Sequence, residues 1–214
     1  MINKRSKHIV CLVIFWLVAN GSMAEPTPET KLKQLLAPIV SLSAKFSQRN
    51  LNIQDKVIDQ ASGNFLAMAP DRFNWVIEQP MAQQIISNGT KLWVYDPDLA
   101  QVIIQPFDNT AQPNPISLLL NNPETLDQYF EISYINNQRS PEGFFLLKPR
   151  QSNAIYTELE LEFVDQKPIG LRYKNKYSQI IEIKFNDLVI NPRLSPTDFI
   201  FDIPADIDVV NHVR

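Results

Sequence analysis

Apolar and charged side chains alternate residue by residue over long parts of this chain, and that alternation sets its class. Thr157, Leu159, Leu161 and Phe163 interleave with Glu158, Glu160 and Glu162. Leu171 and Tyr173 interleave with Arg172 and Lys174, and Ile181, Ile183 and Phe185 with Glu182 and Lys184. Successive side chains of a strand point to opposite faces, so one face of these strands meets apolar material and the other meets water. Earlier in the chain Phe65 and Ala67 alternate with Leu66 and Met68, and Phe73, Trp75 and Ile77 with Asn74, Val76 and Glu78. Gln84 to Ser87 runs into Asn88-Gly89, the strongest hairpin signal present, and Leu92 to Tyr95 returns. Asn88-Gly89-Thr90 also fits a glycosylation sequon, but the flanking strands demand a turn. Further strands are expected from Phe46, at Gln101–Gln105, Tyr129–Ile135 and Phe144–Lys148, with Phe199, Phe201 and Ile203 closing the series. About ten short strands with few helices predict a mainly β fold, an antiparallel barrel or half-barrel.

Two helical pieces interrupt the pattern. Thr27 caps the first, Pro28 suits its first turn, and Leu32, Leu35, Leu36 and Ile39 share one face until Pro38 ends or kinks it. It either docks on the core or plugs the mouth of the sheet. Asn114-Pro115 caps a short apolar helix of Ile116, Ser117, Leu118, Leu119 and Leu120, which is either a tucked connector or a lid. Asn122-Pro123-Glu124 opens a second turn.

The N-terminus reads as a secretory leader. Lys4, Arg5 and Lys7 precede an apolar run from Ile9 to Val18, and Ser22 and Ala24 suit cleavage after residue 24. The run is half the length a membrane anchor needs. A single domain, Glu25–Arg214, is expected to follow. Cys11 and His8 leave with the leader, so the exported chain has no disulfide or thiolate, and its one histidine is His212. The net charge falls from −3 to −6 as three basic residues go. A moderately acidic domain is a poor nucleic-acid binder.

Catalytic patterns are missing. A Ser-His-Asp site has no usable histidine. The glycines at 63, 89, 143 and 170 frame neither a nucleophile elbow nor a phosphate loop. A histidine-based zinc site lacks its ligands, and Glu158, Glu160 and Glu162 read as a solvated strand face. No enzyme activity, metal or cofactor is expected. The positive signal is aromatic: Phe46, Phe65, Phe73, Trp75, Trp93 and Tyr95 fall on strands, with Met68 nearby. They form either an ordinary core or the lining of a pocket for acyl chains. Each buried methylene contributes about 0.8 kcal/mol, so a long chain contributes on the order of 10 kcal/mol.

At these residues the sequence resembles the LolA family of periplasmic lipoprotein carriers. Ser43-Ala44-Lys45-Phe46-Ser47-Gln48 is similar to the family's first strand, and Pro70 with Phe73-Asn74-Trp75 to its Pro-x-x-Phe-x-Trp strand. Asn88 to Pro97 is similar to its Gly-x-x-Leu-Trp-x-Tyr-x-Pro hairpin, Asn114 to Leu120 to its lid, and Asp198 to Phe201 to its last strand. The resemblance implies an unclosed antiparallel β-barrel with short helices as plug and lid, monomeric and periplasmic. Its cavity would hold the acyl chains of lipid-modified proteins. Phe46, Phe65, Met68, Phe73, Trp75, Trp93 and Tyr95 would line it, and Ile116, Leu118, Leu119 and Leu120 would form the lid. An inner-membrane ABC-type lipoprotein-releasing complex would load the carrier, and an outer-membrane, LolB-like receptor would unload it. The family often places an arginine before the proline matching Pro70, where it steadies the closed lid; here Ala69 stands there. The rival readings are a periplasmic carrier or sensor of the same fold for another lipid or glycolipid, a secreted hydrolase, and a purely structural β-domain.

Overall fold

The structure is a computed structural model that describes residues 25–107, 115–120, 122–136, 142–152 and 154–212. The proposed leader, Asn114 and Asn121 lie outside the described residues.

Among the described residues the strands join one unclosed sheet of twelve. Five consecutive strands form one wing: β2 (Val57–Met68), β3 (Arg72–Gln79), β4 (Gln83–Asn88), β5 (Lys91–Asp96) and β6 (Gln101–Pro106). The other wing is β7 (Phe130–Ile135), β8 (Phe144–Pro149), β9 (Tyr156–Val164), β10 (Lys167–Asn175) and β11 (Ile180–Ile190). Strand β1 (Ser41–Leu51) joins the wings by pairing antiparallel with β2 on one side and β11 on the other. Each strand expected between Phe46 and Phe185 is present, β2 starting earlier, at Val57, and one unexpected strand, β12 (Asp208–Asn211), lies near the C-terminus.

Local chemistry explains the turns. The Asn88 side chain accepts from the backbone N–H of Thr90 (3.0 Å) and Lys91 (2.9 Å), and Gly89 adopts φ +93°. That positive φ is what the two-residue hairpin requires. At Gly63 an added Cβ would sit 1.8 Å from the Val76 carbonyl oxygen, so β2 and β3 approach there only because the residue is glycine. Helix α1 (Pro28–Leu36) begins as expected, with Thr27 accepting from the Thr30 N–H at 3.3 Å.

Two expectations need correction. Phe199–Ile203 is not a strand. Ser195 and Asp198 form a capping box that winds Pro196–Phe199 into a 3-10 turn, and Pro204 removes a further ladder donor. The terminal strand is instead β12, which pairs parallel with β6. The lid is one 3-10 turn, Ser117–Leu119. It is followed by a 3-10 turn at Pro123–Thr125, capped by Asn122, and by the short helix α2 (Leu126–Tyr129).

Candidate functional site

The sheet carries two apolar clusters, one on each face. On the inner face Phe46, Phe65, Phe73 and Trp75 are buried together. Their rings touch: Phe46 to Trp75 at 3.9 Å between centroids, Phe65 to Trp75 at 5.2 Å, and Phe65 to Phe185 at 5.9 Å. Residues of both wings share this cluster, among them Phe145, Leu159 and Leu161, so the sheet curls around it. Two helical covers close it. From α1 come Leu32 and Leu36, and from the lid Leu118, Leu119 and Leu120, all buried, with Ile116 half-buried beside them. A void of about 10 Å³ remains beneath the lid, bordered by Ala67, Arg72, Phe73, Ile116 and Leu120. A groove of about 360 Å³ reaches the cluster between α1 and the β7–β9 wing, past Leu35, Phe145 and Phe163. Lys31 Nζ lies 4.4 Å over the Tyr134 ring at its edge.

Three of the predicted lining residues face the other way. Met68, Trp93 and Tyr95 belong to the outer cluster with Ile86, Val102, Ile104 and Phe199. Register shows why. Trp75 pairs with Ile85, and Ile85 with Val94, while Trp93 pairs with Ile86. The pleat therefore puts Leu92 on the inner side and Trp93 on the outer. The segment from Leu194 to Ile207 lies over these residues, with Phe201 5.0 Å from Tyr95 between ring centroids.

The inner residues that sequence reasoning left out are mainly those of the second wing. Leu159, Leu161, Ile183 and Phe185 were legible as one apolar face, because Glu160 and Glu182 occupy the other. Those glutamates are not freely solvated. Arg172 lies between them, 3.3 Å from Glu160 Oε1 and 3.1 Å from Glu182 Oε1.

Polar links fasten the covers. Lys33 of α1 reaches Asp127 Oδ1 at 3.1 Å and donates to the Glu124 carbonyl at 3.2 Å. The hydrogen bond from Lys33 holds the Asp127 carboxyl below the usual aspartate range. The end of α1 is clamped by Asn191, whose side chain donates to the Pro38 carbonyl and accepts from the Val40 N–H, both at 2.8 Å. Ala69 donates its N–H to the Val40 carbonyl at 2.9 Å. Burial pushes the phenols of Tyr156 and Tyr173 up. Among the described residues no three His, Cys, Asp or Glu side chains converge as metal ligands.

Sheet and covers together define an unclosed β-barrel with a lidded, aromatic interior. Residues 38–202 match the family model of the outer membrane lipoprotein carrier protein LolA, and the chain belongs to that family. It is 30% identical over 203 residues to an outer-membrane lipoprotein carrier protein of Chromohalobacter salexigens, covering 91% of this chain and 96% of the relative. It is 35% identical over 201 residues to one of Coxiella burnetii, covering 93% and 94%. Among solved structures, an uncharacterized conserved protein from Thermus thermophilus matches with a TM-score of 0.53 at 13% identity, over 85% of this chain and 99% of that one. That likeness concerns the fold alone.

Proposed function

We propose that this protein is a periplasmic carrier that shields the acyl chains of lipid-modified proteins on their way to the outer membrane. The observation that carries the proposal is the inner cluster of touching rings under covers that are helical pieces rather than strands of the sheet. Acyl chains enter by displacing α1 and the lid from Phe46, Phe65, Phe73 and Trp75, and each methylene replaces contacts the covers gave up. The family's relatives, named outer-membrane lipoprotein carrier proteins, support the same reading. The leader exports the chain and is cleaved after residue 24. An inner-membrane ABC-type complex loads the monomer, and an outer-membrane receptor of similar fold accepts the cargo.

Spheroplasts carrying labelled outer-membrane lipoproteins provide the test. Incubated with the purified protein, they should release lipoprotein as a soluble one-to-one complex. Absence of release by folded protein, with the loader active, sinks the proposal.

A further inference from the structure

The inner face of the sheet is graded from one end to the other. Along β1, Leu42, Ala44 and Phe46 are buried, whereas Gln48 and Asn50 on the same face are half-buried. Along β3 the change falls between Trp75 and Ile77, along β10 between Leu171 and Tyr173, and along β11 between Ile183 and Ile181. Register gathers these positions at the end of the β1–β2 turn. The lid meets the sheet at the other end, beside Ala67 and Phe73, and α1 leads into the start of β1. The apolar interior therefore has a border away from its covers, and that border carries polar groups.

Gln48 Nε2 donates to Asn50 Oδ1 at 3.0 Å, and Asn50 Nδ2 donates to Asp59 Oδ2 at 3.2 Å. Each amide nitrogen has a second N–H, and neither finds another acceptor among the described residues. Two strands away on the same face stands Tyr173, because Asn50 pairs with Ile181 and Ile181 with Tyr173. Its ring packs against the inner cluster, 6.1 Å from Tyr156 between centroids. Its hydroxyl has no hydrogen-bond partner among the described residues, and burial pushes the phenol up. Three uncharged donor groups are thus spread over about 10 Å of the inner face, the width of two strand spacings.

We infer that Gln48, Asn50 and Tyr173 hold the ester and amide carbonyl oxygens through which acyl chains are joined to a lipid-modified protein. The inference rests on the carrier reading and adds a polar subsite to its apolar one. A chain whose methylenes lie on Phe46, Phe65 and Trp75 ends in a carbonyl. Leaving that oxygen unpaired beside apolar side chains is costly, so the interior needs donors where the chain ends. Carboxamide and phenol groups supply them without charge, which suits a neutral carbonyl. Tyrosine is fitted to such a border, with its ring in the apolar part and its hydroxyl in the polar part. Charge disfavours the other polar ends that an acyl chain can have. Asp59, bonded to Asn50, repels a free carboxylate or a phosphate. Arg49 and Arg172 lie on the opposite face, where both meet Glu182.

A pair of synthetic lipopeptides tests it, one with its acyl chains joined through esters and the other with chains of the same length joined through ethers, which lack the carbonyl oxygens. Binding is read by competition with an environment-sensitive lipid probe. The unaltered protein should bind the ester form about three- to tenfold more tightly than the ether form. Tyr173→Phe should shrink that preference and leave the affinity for the ether form unchanged. Gln48→Ala combined with Asn50→Ala should do the same. Gln60→Ala, which removes an exposed carboxamide from the outer face of β2, should keep the full preference. The comparison on the unaltered protein needs no variant to fold. A second measurement reads the hydrogen bond directly: the stretching frequency of an isotope-labelled ester carbonyl should lie lower in the complex with the unaltered protein than with Tyr173→Phe. Equal affinity of the unaltered protein for both forms, or a preference that survives both sets of substitutions, overturns the inference. Binding of neither form by folded protein removes the carrier reading and the inference with it.

Discussion

The inner and outer clusters use the same strands and similar residues, yet they are covered in different ways. Over Trp93 and Val102 lies the chain's own C-terminal segment. It is tied by the ladder of β12 on β6, where Asp208 pairs with Gln101 and Asn211 with Ile104. The Asp208 N–H adds a bond to the Ala100 carbonyl at 2.8 Å, and Asn74 donates to the Asp198 carbonyl at 3.3 Å. The inner cluster that holds Phe46 and Trp75 is shared with α1 and the lid, which have no ladder with the sheet. They are held by apolar contact, the Asn191 clamp and the link from Lys33 to Asp127. Breaking a ladder exposes several backbone groups at once, so it tends to yield only with the fold. A helical cover keeps its own backbone bonds when it lifts, and gives up chiefly side-chain contacts. One cluster is a permanent core and the other is separable.

The sharpest test of this division is a pair of ring deletions. Trp93→Ala and Trp75→Ala should each cost about 3–5 kcal/mol in denaturant unfolding. Only Trp75→Ala should abolish lipoprotein release when both variants are assayed under conditions where they are folded. Loss of release by folded Trp93→Ala would erase the distinction. The next effect concerns the cover. Leu119→Ala removes a fully buried lid side chain, and such truncations cost about 2–5 kcal/mol in a fixed core. Here part of that cost should appear as lid opening, read as raised binding of an environment-sensitive lipid probe and faster hydrogen exchange at 115–120. A loss confined to global unfolding would mean that the lid behaves like the outer core.

Titration sharpens the comparison further. Tyr156 and Tyr173 have phenols raised by burial on the inner side, so the folded state holds their protons more tightly than the unfolded chain. Their contribution is complete below the ordinary tyrosine value of about 10 and is lost as pH rises above it. Alkaline unfolding curves should fall in that window and flatten in Tyr173→Phe. Asp127 shows the opposite sign. Its lowered carboxyl supports the closed cover at neutral pH, and that support is lost as pH falls below the usual aspartate range.

Ala69→Arg adds a cation beside the lid, where Arg72 already borders the small void. It should slow unloading without abolishing loading, and equal transfer rates to a receptor would remove the idea. The smallest effect is expected from Asp127→Asn. An exposed pair is screened by salt, so probe uptake should rise slightly at low ionic strength and match the unaltered protein at high.

Much of the fold could be read before the structure. Glu158, Glu160 and Glu162 made the facing of β9 plain, Asn88-Gly89 located the β4–β5 turn, and Thr27 with Pro28 marked the start of α1. The aromatic site was half legible. Phe73 and Trp75 alternate with Asn74, which leaves one choice of face. Leu92 and Trp93, like Ile85 and Ile86, put apolar side chains on both faces, so alternation carries no sign there.

By itself the sequence determined the strands from β1 to β11, the hairpin at Asn88-Gly89 and the presence of two apolar helical covers, because period, turn chemistry and capping are local. Tertiary structure decided which face of β4–β6 looks inward. The three-residue link Pro80–Ala82 leaves the parity of β4 open, and only pairing Trp75 with Ile85 sets it. It also decided the fate of the C-terminus. Val209 and Val210 are too few to announce a strand, and they become one because β6, about a hundred residues earlier, offers an unpaired edge in the right place.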